Sequence, residues 1–382
     1  MNVLVITREI PPVGGGAGHV AIHLSRELVA QGHRIVIVTM HFGNLPAVEH
    51  RDGITIHRVR CGRRNQDSSY VTEMLSFLVK GSRLARCLVH EHGCDIVHAH
   101  SIVPDGRIGL AAVQETDIPV VATAHGSDVP GYNTDKFHLV HRLVRPWWRR
   151  TLCSMDAVIA PSQHLAGLIR AAHQDQEVKI IPNGIRVDQF SSRPKNDSFL
   201  IVSRLVRRKN YHLFLQALRH VDLPVTVHIV GEGPMLPELR QLAGGLRRHL
   251  VNFHGWLDNG SETWRKLYET CRYFIQPSEN ENFPINLLEA QLAGLIVLAS
   301  DIPGNREVLG DCAVYFKELN PESISKTIRS VLATGTARLD TLALAAQRRV
   351  QELFAWPKIA GRYLSVFESL CSQRRSLLAL NR

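Results

Sequence analysis

The order of the first forty residues restricts this chain more than any other feature. A fully apolar run, Val3-Leu4-Val5-Ile6, leads into the turn PPVGGGAG, then into helical spacing, then into a second apolar run from Ile35 to Val38. A strand that is apolar on both faces must be covered on both faces. Val20, Ala21, Leu24, Leu28 and Val29 recur at helical intervals over residues 19–31, and Gly32 ends that helix. Strand, crossover helix and strand in this order make a parallel sheet flanked by helices. The pattern continues with an alternating run at 54–59, read as an edge strand, and a long amphipathic helix over 70–92. Further strands are expected at 96–99, 119–123, 157–160 and 179–181, with Ser162 capping a helix that starts at Gln163.

A polar, turn-forming stretch, residues 182–198, reads as an interdomain linker. A second α/β series follows. Strands are expected at 199–202, 225–230, 251–253, 273–275 and 296–299, and helices at 211–219, 235–246, 262–270 and 284–293, the last with Pro284 at its first position. From Pro321 onward the chain reads as mostly helix. The expected fold class is α/β: two Rossmann-like doubly wound domains, 1–185 and 199–356, facing a central cleft. Ligands of such sheets bind outside the carboxyl ends of the strands.

Several classes are excluded. No apolar run approaches the roughly 20 residues that a membrane-spanning helix needs. The first residues read as a strand, not a signal peptide. Seven cysteines, an odd number with no C-x2-C spacing, imply reduced thiols in a cytoplasmic protein. His98 and His100 flank Ala99 so that both rings share one face of a strand, but no metal-ligand motif accompanies them. A net charge of +10 is open to nucleic acid, an anionic membrane or an anionic small substrate. No nucleic-acid module is visible, so no nucleic-acid partner is expected. The densest basic run, Lys136 to Arg150, holds five cations, no acid and the pair Trp147-Trp148. It suits a bilayer interface, an acceptor-facing helix or a plain surface helix.

Three segments carry candidate chemistry. Gly14 to Gly18 opens a helix after a buried strand, which suits either a tight turn or a phosphate held on backbone amides. G-x-G-x-x-G fails there, because His19 stands at the third glycine position. Ser203-Arg204-Leu205-Val206-Arg207-Arg208-Lys209-Asn210 puts four cations just past a strand. Arg204 and Lys209 are the candidates for a diphosphate, with Arg207 and Arg208 read as a solvated basic turn. Glu281 lies at the entrance of a helix and Glu289 inside it, between Leu288 and Ala290. An acid in such an apolar frame needs hydrogen-bond donors, which sugar hydroxyls can supply.

Taken in order, PPVGGGAGHV, TAHGSD, IPNGI, SRLVRRKN, VGEGP, PSENENFPINLLEAQLAG and SDIPGNREV resemble the retaining nucleotide-sugar glycosyltransferases of family 4, which have the GT-B fold. The likeness covers nearly the whole chain, and E-x7-E is its most specific part. It implies that Arg204 and Lys209 neutralise the donor diphosphate, that Glu281 holds the donor sugar, and that Glu289 binds the ribose. It implies that Asn282, Phe283 and Pro284 approach the donor through their backbone, and that Glu232 and Gly233 turn near the nucleotide. It also implies that Gly15 and Gly16 close onto the phosphates and that His125 lies near the sugar. His125 would take a proton role or hold the sugar's primary hydroxyl; a packed turn histidine is the other reading.

The same likeness implies metal-independent catalysis without a cofactor. It also implies a glycan or lipid-linked acceptor, and a chain that crosses back after Phe354-Ala355-Trp356 so that residues 357–382 pack on the first domain. A helix of the second domain is the plainer reading of that segment. Arg186 stands where the family usually has Asp, and Ser203 and Asn210 replace glycines often seen beside the Arg–Lys pair. The expectation is a hexosyltransferase of polysaccharide or glycolipid synthesis, peripheral at the inner face of a membrane and bound there through Lys136 to Arg150. A nucleotide-sugar 2-epimerase and a catalytically silent sugar-nucleotide binder are the alternatives.

Overall fold

The first apolar run becomes β1 (Asn2–Ile6), which lies mid-sheet with parallel partners on both sides. The structure is a computed structural model of the 382-residue chain. It describes residues 1–66, 68–132 and 138–380, without the side chains of 138–144 and 378–380. The chain divides into two units, Met1–Gly184 with Trp356–Arg382, and Ile185–Ala355.

In the first unit β1 is joined by β2 (Arg34–Met40), β3 (Val48–Arg51), β4 (Ile54–Val59), β5 (Ile96–Ala99), β6 (Val120–Thr123), β7 (Ala157–Ala160) and β8 (Val178–Ile180). The order is β3-β4-β2-β1-β5-β6-β7-β8, parallel throughout except for β3. The run at 54–59 is therefore not the edge: β3, antiparallel and polar, covers it. Four alternately exposed residues, VEHR, carry no apolar signal from which a strand could be read. The five- and six-residue helical segments Ile102–Gly106 and Arg107–Ala112 likewise carry no sequence signal, being too short to show a period. Helix Val71–Glu91 packs Phe77, Ala85, Leu88 and Val89 into the core. Ser162 caps helix Gln163–Ala172 by accepting the Leu165 amide at 3.0 Å.

The C-terminal helix Trp356–Leu380 belongs to this unit. Tyr363 meets the Thr123 hydroxyl at 3.3 Å, and Arg374 donates to Asp156 at 2.6 Å.

The second unit holds β9 (Asn196–Val202), β10 (Thr226–Val230), β11 (Leu250–Gly255), β12 (Cys271–Gln276), β13 (Ile296–Ser300) and β14 (Val314–Phe316). All are parallel, in the order β11-β10-β9-β12-β13-β14. Two apolar layers fill its faces, one around Phe199, Phe214 and Ile229, the other around Phe274, Leu287 and Leu288. The polar stretch after Gly184 is fixed to this unit rather than free. The Ile185 amide donates to Phe354 O at 2.8 Å, and Ser191 N and Arg193 both bind the Glu269 carboxylate. The ammonium of Lys195 donates to Tyr268 O and Ala293 O.

Candidate functional site

In the second sheet the strand order reverses between β9 and β12. One crossover leaves β9 toward β10, and the chain returns to β12 on the other side, so a crevice opens past their carboxyl ends. The loop after β9 runs from Ser203 to Asn210 and the loop after β12 from Pro277 to Pro284. The two are stitched together. Lys209 Nζ pairs with Glu281 Oε1, and both side chains are nearly buried, at 13% and 11% exposure. Gln276, at the tip of β12, donates from Nε2 to the same Glu281 oxygen at 2.6 Å. Asn286 holds Gln276 Oε1 at 3.3 Å and Val202 O at 3.0 Å, and Tyr211 OH reaches Gln276 Oε1 at 3.4 Å. Asn210 takes a left-handed conformation (φ 55°) and donates to Glu279 at 3.2 Å, while the Glu279 amide donates to Arg208 O at 3.0 Å. Arg204 is exposed in the same loop.

Glycine sets how closely these loops approach. A Cβ on Gly231 would stand 1.9 Å from Ser203 O, and one on Gly233 2.4 Å from Leu205 O. Between them the Glu232 carbonyl accepts the Leu205 amide at 2.8 Å. A Cβ on Gly304, after β13, would stand 2.0 Å from Glu281 O. The backbone of Glu281 and Asn282 is thus braced from behind by a residue that only glycine can fill.

Pro284 caps the next helix rather than starting it: the helix is Ile285–Leu292, and Pro284 is extended (ψ 118°). The Phe283 ring is core, edge-on to Phe354 at 5.4 Å, so only its backbone is left to face a ligand. Glu289 is buried and accepts from Tyr268 OH at 3.0 Å. Burial pushes its carboxyl up to about 8, and the tyrosine bond opposes the rise only in part.

In the first sheet the order reverses between β1 and β5. The glycine turn sits past β1. Gly15 caps helix Gly16–Ala30, which starts three residues earlier than its apolar spacing implies. Glu9 folds over this turn and accepts the Gly15 amide at 3.1 Å, so a protein carboxylate holds the backbone donor expected to meet a phosphate.

Past β6, the Asp128 carboxylate accepts the amides of His125 (3.0 Å), Gly126 (3.1 Å) and Ile102 (3.0 Å), which fixes the His125 turn. The His125 ring stacks on His100 at 5.3 Å, and burial lowers the pKa of both. His98 and His100 do share a face, with ring centroids 4.4 Å apart. Asp105 is fully buried, neither of its oxygens has a partner, and burial pushes its carboxyl up to about 7. Trp148, read as half of an interfacial pair, is buried, and its indole donates to Asp128 O at 2.8 Å. Only Trp147 of the pair keeps partial exposure. Lys136 and Phe137 lie outside the described residues.

The structure thus joins Lys209 to Glu281 directly, places Arg204, Glu232, Gly233, Asn282 and Pro284 on the adjoining loops, and sets Glu289 behind them on Tyr268. Gly15, Gly16 and His125 belong to the first unit. Sequence reasoning missed Gln276, Tyr268, Asn286, Gly304, Glu9 and Asp105. Gln276 left one signal: it is the polar residue that ends the run Tyr273-Phe274-Ile275.

Two family models match the chain: Glycosyltransferase Family 4 over residues 14–189 and Glycosyl transferases group 1 over residues 186–347. An uncharacterized glycosyltransferase of Methanocaldococcus jannaschii is 27% identical over 96% of this chain and 98% of its own. The phosphatidylinositol N-acetylglucosaminyltransferase gpi3 subunit of Schizosaccharomyces pombe is 22% identical over 95% of this chain and 79% of its own. Among solved structures, a sucrose-phosphate synthase from Thermosynechococcus elongatus superposes with a TM-score of 0.82 at 22% identity, over 97% of this chain and 99% of the other. Anabaena HepE, solved in complex with UDP-glucose, gives a TM-score of 0.75 at 19% identity, over 97% and 100%. On these matches and on its two parallel-sheet units, the chain belongs to the group 1 glycosyltransferases of the GT-B fold.

Proposed function

We propose that the protein is a retaining hexosyltransferase that moves a sugar from a nucleotide-diphosphate donor to a glycan or lipid-linked acceptor. The observation that carries this reading is the Lys209–Glu281–Gln276 cluster, with Arg204 beside it, at the reversal point of the second sheet. Cations there meet a diphosphate, and a fixed carboxylate meets the sugar attached to it. The UDP-glucose complex of HepE supports a donor of this kind, and the named phosphatidylinositol activity of the yeast relative supports a lipid-linked acceptor.

The reaction breaks the bond from the anomeric carbon to the β-phosphate oxygen, whose electron pair leaves with the phosphate. Arg204 and Lys209 stabilise that charge as it develops. Glu281, held by Lys209 and Gln276, faces the positive charge growing on the sugar. It acts as a positioning and electrostatic residue rather than a nucleophile. The acceptor oxygen bonds the same face of the carbon and gives its proton to the departing phosphate oxygen, which gives retention without a metal ion.

Among the described residues no helix is long and apolar enough to cross a membrane. Arg145, Arg149 and Arg150 are exposed on helix His138–Cys153, and we assign the contact with an anionic membrane surface, at its cytoplasmic face, to them.

A nucleotide-sugar panel screened by thermal shift, followed by transfer assays, tests the reading. Lys209→Ala and Glu281→Ala should each cut transfer more than tenfold with the fold intact. Near-normal turnover in both would refute the site. A changed sugar recovered from donor incubated without acceptor would point to epimerisation instead.

A further inference from the structure

His100 follows β5, and its amide donates to Ile6 O at 2.9 Å, which fixes its backbone against β1. The residue is 2% exposed. Its ring lies beside those of His98 and His125, with the His100 and His125 planes only 12° apart. His100 Nδ1 stands 3.1 Å from His125 Nε2. His100 Nε2 is buried and has no partner. The charged groups acting on His125 are Asp128 on its own loop and Arg8 and Glu9 on the loop after β1.

Burial keeps both rings neutral, so each carries one N–H and one bare nitrogen. Two arrangements satisfy the contact. If His125 donated, the His100 proton would sit on Nε2, a buried donor with nothing to bond. A buried N–H without an acceptor is a rarer defect than a bare buried acceptor, and it forfeits the full desolvation energy of the donor. If His100 donates instead, the buried Nε2 is bare and the His125 proton sits on Nδ1.

We infer that His100 is a positioning residue: its Nδ1–H donates to His125 Nε2 and fixes His125 as the Nδ1–H tautomer, so that His125 offers a hydrogen-bond donor and no free base. This rests on the proposed transfer reaction and sharpens it. His125 holds a sugar hydroxyl oxygen, and the acceptor proton goes to the leaving phosphate, not to imidazole.

Long-range proton–nitrogen correlation on the full chain with nitrogen-15-labelled histidine reads the tautomer directly, with His125→Asn assigning the signals. The expected result is a proton on Nδ1 of His125. In His100→Phe, which keeps a flat ring but no donor, that single tautomer gives way to a mixture. In His100→Asn, whose side-chain amide nitrogen stands near the place of Nδ1, it returns. A proton on Nε2 of His125 in the parent protein, or an unchanged spectrum in His100→Phe, overturns the inference.

Kinetics supply the second reading. The phenylalanine variant should lose at least tenfold in kcat/KM, and the asparagine variant should recover to within about threefold. Equal losses in both variants at unchanged melting temperature would make His100 a packing residue only. Should no donor support transfer, the spectroscopic result still decides what His100 does, and only the catalytic reading falls.

Discussion

Removing the Lys209 charge while leaving Glu281 in place tests both the burial and the chemistry of the site. Lys209→Met keeps the apolar stem and deletes the charge. Glu281 is then a carboxylate at 11% exposure whose remaining side-chain partner is the Gln276 amide. Breaking a buried ion pair from one side costs roughly 3–5 kcal/mol, because the other charge stays behind. With Gln276 still donating and a tenth of each side chain in water, the low end, about 3 kcal/mol, applies. Glu281→Gln in the same background removes the stranded charge and should recover about 2 kcal/mol of it.

Equilibrium urea unfolding of the parent, both single variants and the double variant closes this cycle. The coupling should persist in high salt, since a nearly buried pair is poorly screened. Activity should behave differently: all three variants lose transfer more than tenfold, because the leaving phosphate needs the Lys209 cation and the charge growing on the sugar needs the Glu281 carboxylate. A single-variant cost below about 0.5 kcal/mol, or strictly additive values, would mean a solvated surface pair and no closed site, as for exposed ion pairs generally.

Gly231→Ala places a Cβ 1.9 Å from Ser203 O at a φ of 129°, and should lower the melting temperature by several degrees and weaken donor binding. Gly244→Ala, on a helix with open space around the added carbon, is the control and should be neutral or slightly stabilising. Asp105→Asn should stabilise the protein near neutral pH. The Asp105 carboxyl is raised to about 7 from an ordinary value of 3.8, so its protonated folded form is fully favoured below about pH 4. As pH rises through 7 it costs up to about 4 kcal/mol, and unfolding followed from pH 4 to 8 should show the parent losing stability that the variant keeps. Replacing Arg145, Arg149 and Arg150 with alanine should reduce co-sedimentation with phosphatidylglycerol vesicles, and unchanged binding would end the membrane assignment. Chelation with EDTA should leave transfer unaltered; loss restored by a divalent ion would refute the metal-free mechanism.

How far the sequence reached depended on whether a residue's role is local. Apolar runs such as 3–6, 35–38 and 296–299 announce buried parallel strands because both faces must leave water together. Ser162 before its helix and Gly32 after one were legible for the same reason, since caps act within three or four residues. The polar edge strand β3 and the short segments at 102–112 gave no such signal. Their form depends on partners outside the segments themselves: Ile56 on the next strand for Glu49, and Asp128, 26 residues on, for Ile102.

At the site, the residue types were legible and the wiring was not. Cations after one strand and two acids around one helix entrance could be read directly, and their chemistry followed. That Lys209 pairs with Glu281 was not legible, because they are 72 residues apart. Nor could the sequence reveal that Glu9 would occupy the Gly15 amide, that Trp148 would turn inward to Asp128, or that His100 would bond His125. The sequence by itself determined the α/β class, the strand succession and the kind of chemistry, since these follow from apolar periodicity and side-chain type. The tertiary structure alone decided which polar groups are buried and what they bond. Burial and pairing are set by segments brought together at the two sheet reversal points, which no local stretch of chain encodes.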